Sequence, residues 1–148
     1  MIEVISPNQL NQALYMYDQQ HENLRLVFKE FCEGVKTEMG GDGPRMPRLP
    51  GLKADIDGPA LALTFAGRSI KLVFSSELDE TGKKLVGVIT GYLCKELPED
   101  EHKAIERITF DRHGETDILI DGDKVSIDTY PAAFYVALLM IHAGMNVE

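Results

Sequence analysis

The chain has 148 residues, of which 44% are hydrophobic and 26% are charged, and its formal net charge is −9. This length fits one domain with a core of its own, and the acidic balance argues against direct nucleic acid binding because the summed field repels a polyanion. The chain starts without the basic residues and long apolar core of a signal peptide, and no apolar stretch reaches the roughly 20 residues of a membrane span. We therefore expect a single-domain cytoplasmic protein of a prokaryote or a phage, without a membrane anchor.

The first predicted element is a long helix within residues 1–38. Ser6 is expected to cap it and Pro7 suits its first turn, and the next glycine or proline is Gly34. Apolar and aromatic residues and one histidine recur on this helix at alternating spacings of four and three, which is typical of a coiled-coil seam. The seam consists of Leu10, Leu14, Tyr17, His21, Leu24, Phe28, Phe31 and Val35.

Two interpretations are open for what covers this seam. It can pack along the sheet of its own domain, or the helix can extend past the domain and pair with a second copy. From Leu10 to Val35 the seam spans roughly 37 Å, whereas a strand covers only about 20 Å. We therefore predict a homodimer in which part of the seam contacts the second subunit, and the interface candidates are Leu10, Leu14, Tyr17, His21, Leu24 and Phe28.

Residues 39–51 are dense in glycine and proline, so they are predicted to form a loop. Arg45 and Arg48 form a local positive patch in this loop, beside Met46 and Leu49, which are expected to be exposed. Such a loop is either a binding segment or a tether between helix and sheet. These four residues are the candidates for binding another protein.

The remaining part, residues 52–148, is predicted to form an antiparallel sheet and a final helix. A short helix at 98–105, with a proline and acids in its first turn, is expected to separate the strands into two meanders. In the third strand Gly87 and Gly91 share one face, where they leave room for a helix, and both faces are apolar enough to be covered. Alternation and turn signals place the six strands at 60–65, 69–74, 84–94, 107–111, 116–120 and 124–128.

Residues 130–144 are apolar on every side, which predicts a buried helix. Asp128 or Thr129 can cap its start, Pro131 fits its first turn, and Gly144 is expected to end it in a left-handed conformation. The predicted fold class is therefore α+β: a long N-terminal helix, about six antiparallel strands in two meanders split by a short helix, and a buried C-terminal helix.

The sequence shows none of the common nucleotide-binding or nucleophile motifs. Cys32 and Cys94 lack metal-ligand spacing and are interpreted as reduced thiols. The nearest approach to a metal or acid–base cluster is His102, Asp111 and His113, which we interpret as turn residues because ligands must converge on one centre. We predict no metal site, no cofactor and no catalytic residue, and the balance is against an enzyme.

The order of helix, strands, helix, strands and helix in a small acidic chain resembles that of the chaperones of type III secretion. The resemblance covers most of the chain at the level of element order and acidity. It implies a dimer that holds an extended client segment.

The first functional hypothesis is a non-enzymatic protein-binding module, either a chaperone, an adaptor or an immunity-type protein, whose partner is another protein. One alternative is a DNA-mimicking inhibitor, whose acidic side chains imitate phosphates. Another is a ligand-binding or enzymatic fold with a pocket between the sheet and the C-terminal helix. That pocket would be lined by Phe65, Phe74, Tyr92, Phe110 and Phe134.

Overall fold

The computed structural model describes residues 2, 4–40, 49, 51–94 and 102–147. Two helices pack on one face of a seven-stranded antiparallel sheet whose strands follow one another in chain order. The predicted α+β class is therefore confirmed. The elements are α1 (Pro7–Gly40), β1 (Lys53–Asp57), β2 (Ala60–Phe65), β3 (Arg68–Leu78), β4 (Leu85–Cys94), β5 (His102–Phe110), β6 (Glu115–Ile120), β7 (Asp123–Ser126) and α2 (Tyr130–Met145).

The sheet differs from the predicted one in two details. An additional strand, β1, precedes the six that were predicted, and it pairs with β2 along its whole length. The predicted short helix at 98–105 lies partly outside the described residues, and its described part, 102–105, belongs to β5. Its backbone pairs with the end of β4 from Tyr92 to Cys94, because a long strand supplies a ladder partner that outweighs a weak local helix signal.

The start of α1 agrees with the prediction. The backbone N–H of Gln9 donates to Oγ of Ser6 at 3.3 Å, and the backbone N–H of Ser6 donates to Oε1 of Gln9 at 3.4 Å. This reciprocal pair is a capping box, which satisfies two backbone groups that the first helical turn leaves free.

The seam of α1 is divided between the core and the solvent. Phe31 and Val35 are completely buried, and Leu24 and Phe28 are almost so. Leu24 and Phe28 therefore belong to the core of their own chain and are not available to a second subunit, contrary to the predicted interface. In contrast, 46% of Leu10 and 55% of Leu14 are exposed.

Glycines set how closely the helices approach each other and the sheet. A β-carbon added at Gly34 of α1 would lie 2.8 Å from Cδ1 of Tyr130 in α2. One added at Gly91 of β4 would lie 3.1 Å from Sδ of Met140, so a helix does approach this glycine, as predicted. The space above Gly87 is instead filled by the ring of Phe110, which covers the glycine from the neighbouring strand.

The helix α2 begins after Thr129 and ends at Met145. Gly144 lies within the helix rather than ending it in a left-handed conformation, and a β-carbon there would lie 2.5 Å from Cδ1 of Ile70. The end of the helix is stabilised from β3, because Arg68 donates from Nη1 to the carbonyl oxygens of Gly144 at 2.8 Å and Val147 at 2.7 Å. A cation at this position also interacts favourably with the helix dipole.

Ion pairs that bridge non-adjacent strands lie on the face opposite the helices. Nζ of Lys71 in β3 lies 3.3 Å from Oδ2 of Asp57 in β1, so this pair spans β2. Nη2 of Arg107 in β5 lies 2.7 Å from Oε1 of Glu77 in β3, and this pair spans β4. The second pair passes over Val88, which is buried although none of the described helices packs on this face.

We predict that Gly87→Ala destabilises the protein by about 1–3 kcal/mol, the usual cost of overpacking a core. The new β-carbon would overlap the ring of Phe110, which is buried in the core. Urea unfolding measures the change. Gly51→Ala is the matched control, because no atom of the described residues lies within 4 Å of its added β-carbon, and an equal loss in both variants would contradict the packing argument.

We predict that Arg68→Met lowers the free energy of unfolding by about 1.5–3 kcal/mol, the range for a hydrogen bond to a charged group. The methionine keeps much of the apolar stem but cannot donate to Gly144 and Val147. Arg25→Met is the control, because Arg25 only pairs with Glu22 on the surface, where a pair contributes about 0–1 kcal/mol. An unchanged urea midpoint for Arg68→Met would show that the end of α2 does not depend on this contact.

Candidate functional site

The first ten residues of α1, 7–16, extend past the sheet, and we call them the helix overhang. All of them are exposed except Ala13, which is half-buried. The first hydrogen bonds from α1 to the sheet come later, where Oε1 of Gln20 accepts from the backbone N–H of Leu85 at 2.9 Å and Nδ1 of His21 lies 2.6 Å from Oγ of Ser76. The overhang is therefore about 15 Å of helix whose successive turns are exposed to solvent.

The helix overhang is uncharged, which is unusual for an exposed helix of a protein in which 26% of the residues are charged. No acidic or basic residue occurs from Val4 to Tyr17. Leu10, Leu14, Tyr15 and Met16 are exposed within it. Depletion of charge together with exposed tyrosine, methionine and leucine is typical of the central part of a protein interface.

A groove of about 450 Å³, which we call the hairpin groove, lies between α1 and the turn that joins β1 to β2. The rings of Phe28 and Phe74 stack at its base with their centroids 5.6 Å apart. Arg25 and Lys29 contribute cations from α1, and Arg25 is paired with Glu22. The complete lining is His21, Arg25, Phe28, Lys29, Cys32, Glu33, Ile56, Gly58, Pro59, Ala60 and Phe74.

The hairpin groove adjoins a part of β3 that has a neighbour on only one side. Strand β2 pairs with β3 from Ala60↔Val73 to Phe65↔Arg68 and extends no further. The last five residues of β3, 74–78, continue to pair with β4 on the other side. We call residues 74–78 the free β3 edge, because no described strand pairs with them where β2 has ended.

The thiol of the groove is held in an unreactive state, and its histidine is held in position. Burial raises the pKa of the Cys32 thiol to about 12, with a smaller contribution from the nearby Glu33 carboxylate, so this group is not a nucleophile at neutral pH. The ring of His21 is held by Ser76 and lies against Phe74, with the ring centroids 5.2 Å apart. The groove therefore offers apolar contact and hydrogen bonds to whatever binds there.

Of the four residues predicted to bind another protein, the structure describes one. Arg45, Met46 and Arg48 lie outside the described residues. Leu49 is described, and it is half-buried against the core rather than exposed, while its carbonyl oxygen accepts from the backbone N–H of Leu52 at 2.9 Å. The reason is that the chain turns here into β1 and brings Leu49 down onto the core.

Some of the predicted interface residues lie before the point where α1 first contacts the sheet, and others lie at that point. Leu10 and Leu14 lie on the helix overhang, and Tyr17 and His21 are half-buried where α1 first meets the sheet.

The five aromatic residues proposed to line a ligand pocket do not converge, since Phe110 and Phe134 are buried in the core and Tyr92 faces the opposite side of the sheet.

A second groove, of about 330 Å³, lies between β5, β6 and α2, and none of the five aromatic residues lines it. Its lining is Glu106, Arg107, Ile108, Asp117, Ile118, Leu139, Met140 and Ala143.

The interpretation of Asp111 as a turn residue is supported by its contacts. Its Oδ1 accepts from the backbone N–H groups of His113 at 2.9 Å and Glu115 at 3.0 Å. The side chain of His102 is outside the described part of the chain. In the described ranges no three histidine, cysteine, aspartate or glutamate side chains are grouped closely enough to hold a metal ion.

The hairpin groove and the free β3 edge were not found from the sequence. The signal for the edge was present, because alternation continues from Phe74 through Ser76 to Leu78, which makes β3 longer than β2. The groove has no such signal, since α1 and the hairpin turn that form it are distant in the chain.

No family model, no curated protein and no solved structure matches this chain. Among the helices of the described residues, none has both the length and the apolar character of a membrane span. The function must therefore be inferred from the geometry of the overhang, the groove and the free edge.

We predict that a thiol reagent at pH 8 modifies Cys94, which is half-exposed, and leaves Cys32 unmodified until the protein unfolds. Because the folded-state pKa of Cys32 is about 12 against an ordinary value of 9.0, its contribution to stability is present below pH 9 and decreases as the pH rises toward 12. Mass spectrometry of labelled peptides measures both rates, with Cys94→Ser as the control. Equal labelling of the two thiols in the folded protein would contradict the burial of Cys32.

Proposed function

We propose that the protein is a non-enzymatic protein-binding module that acts as a homodimer joined through the helix overhang. The observation that supports this proposal is that one continuous apolar seam is buried in its C-terminal part and exposed in its N-terminal part. The same four-and-three spacing that buries Leu24 and Phe28 in the core continues through Leu10 and Leu14, which are half-exposed. A seam in this register fits a second helix carrying the same pattern, and a second copy supplies one.

Sterics favour antiparallel pairing of the two overhangs. Beyond His21, the seam side of α1 is occupied by the sheet of its own chain. In a parallel pair the partner helix would have to continue into that space, and the two sheets would collide. In an antiparallel pair each helix leads away from the other sheet, and a two-fold axis near Leu14 relates the copies, as in an isologous dimer.

Charge also favours this site for self-association. Each copy carries a net charge of −9, which opposes contact between most of their surfaces. The segment from Val4 to Tyr17 contributes none of that charge. The overhang is therefore a surface through which two copies can approach with little electrostatic cost.

Binding rather than catalysis is supported by the groups that face the hairpin groove. The Cys32 thiol is kept protonated by burial and is not a nucleophile at neutral pH. We expect the other protein partner to bind outside the dimer interface. Capture of the same protein from a native host extract by both the dimer and its monomeric variant tests this expectation.

The test is the mass in solution of the native protein and of the double variant Leu10→Lys/Leu14→Lys. Light scattering at micromolar concentration is expected to give twice the chain mass of 16.5 kDa for the native protein. Each leucine side chain buried in the interface contributes about 1.5–3 kcal/mol, so the variant should raise the dissociation constant more than about 100-fold.

Asn8→Lys/Gln12→Lys is the matched control, because these residues lie on the opposite face of the same helix turns and add the same charge. The control is expected to remain a dimer with the urea midpoint of the native protein, whereas the test variant is expected to remain folded as a monomer, with a midpoint lowered by the loss of dimerisation. A native protein that is monomeric at micromolar concentration would reject the proposed homodimer. A control that dissociates like the test variant would show that the seam face is not the interface.

A further inference from the structure

We infer that the free β3 edge binds the N-terminal segment of the second subunit as an added antiparallel or parallel β-strand. We call residues 2–6, which precede α1, the N-terminal arm. This inference rests on the proposed homodimer and goes beyond it, because it assigns a second contact and a role for residues outside the helix.

The hydrogen-bonding direction along β3 follows from its hairpin with β2. The two-residue turn Ala66-Gly67, with φ values of 50° and 79°, is closed by the pair Phe65↔Arg68. Arg68 and every second residue after it therefore direct their backbone groups toward β2. Phe74, Ser76 and Leu78 continue this series, so their N–H and C=O groups point to the side where β2 has ended.

The other end of β3, at its hairpin with β4, confirms this direction. The backbone N–H of Asp79, which belongs to the alternate series, donates to the carbonyl oxygen of Lys84 at 2.8 Å on the β4 side. Within the described ranges, no group accepts a hydrogen bond from the backbone N–H of Ser76 or Leu78. The corresponding unpaired group of β4, the N–H of Leu85, is satisfied by Gln20, so only the β3 side remains open to a strand.

The N-terminal arm has the composition and length of a strand that could fill this place. Ile2 and Val4 are 90% and 94% exposed, and Ile5 is also exposed. Three β-branched apolar side chains of this kind favour a strand when a ladder partner is present. In an extended conformation the five residues of the arm would span about 17 Å, the length of the five-residue free edge.

The antiparallel arrangement of overhangs brings the arm to the edge. With a two-fold axis near Leu14, the partner's Pro7 lies beside Gln20 or His21 of the first copy. Gln20 and His21 form hydrogen bonds to the start of β4 and to the last residues of β3, at Leu85 and Ser76. The arm that precedes the partner's Pro7 therefore begins next to the free β3 edge.

The hairpin groove supplies the side-chain contacts that an added strand needs. In strand addition the backbone ladder provides affinity and adjacent pockets receive alternate side chains. Phe74 belongs both to the free edge and to the groove, where Phe28 and Ile56 offer further apolar surface. An isoleucine or valine of the arm can be buried there while its backbone pairs with β3.

The test compares amide hydrogen exchange by NMR in the native protein and in Val4→Pro/Ile5→Pro. Neighbouring N–H groups of a strand face opposite sides, so one of the two prolines removes a ladder hydrogen bond. The matched control is Val4→Thr/Ile5→Thr, which keeps β-branched residues and both N–H groups. The N–H groups of Ser76 and Leu78 are expected to exchange slowly in the native protein and the control, and at least about tenfold faster in the proline variant.

Light scattering on the same samples separates this inference from the homodimer. A native dimer in which Ser76 and Leu78 exchange rapidly overturns the strand addition and leaves the homodimer in place. A native monomer overturns both. Slow exchange that persists in the proline variant also overturns the inference, because the edge must then be paired by another segment.

Discussion

The packing of α2 against both α1 and the sheet is the constraint on which the rest of the structure depends. Three backbone positions without side chains permit it: Gly34 under Tyr130, Gly91 under Met140 and Gly144 above Ile70. Any β-carbon at these points would separate the layers, because side chains in a core interdigitate with little free volume. Arg68 then holds the end of α2 from the same strand that carries Ile70. The helix layer is thereby fixed in position on the sheet, and α1 must lie along the side that α2 leaves uncovered.

Two elements, α1 and the β3–β4 hairpin, extend beyond the elements that they pack against. A helix of 34 residues is about 51 Å long, and the sheet supports only its later turns, from Tyr17 onward. The β3–β4 hairpin is likewise longer than the β1–β2 hairpin beside it, which leaves residues 74–78 with one neighbour. The helix overhang and the free β3 edge occur at the same end of the molecule, since His21 contacts Ser76 there. A half-exposed apolar seam and an open strand edge in one place are a coherent surface for a second subunit, whereas either alone would be a liability for aggregation.

The distribution of charge is consistent with this division of the surface. The open face of the sheet is spanned by the pairs Lys71–Asp57 and Arg107–Glu77, which place ionised groups over small or apolar residues. These exposed pairs contribute little to stability, but they keep the uncovered face polar. The overhang has no such charges. The protein thus protects one apolar face with ion pairs and leaves another without them, which is the difference expected between a solvent face and an interface.

The sequence alone determined the features that depend on residues close in the chain. The cap at Ser6, the helix with Pro131 in its first turn and most of the strands could be predicted, because capping, turn geometry and periodicity are local. The seam of α1 could also be predicted from its spacing. The residue at which the seam passes from the core into solvent could not, because it depends on the width of a sheet formed by residues distant in the chain. Residues 102–105 became a strand because β4 offers them a ladder partner, and Gly144 lacks a side chain because Ile70 occupies its space rather than because the helix ends there. The hairpin groove and the free β3 edge were decided only by tertiary structure, because they arise from the relative lengths and positions of elements that the chain brings together after folding.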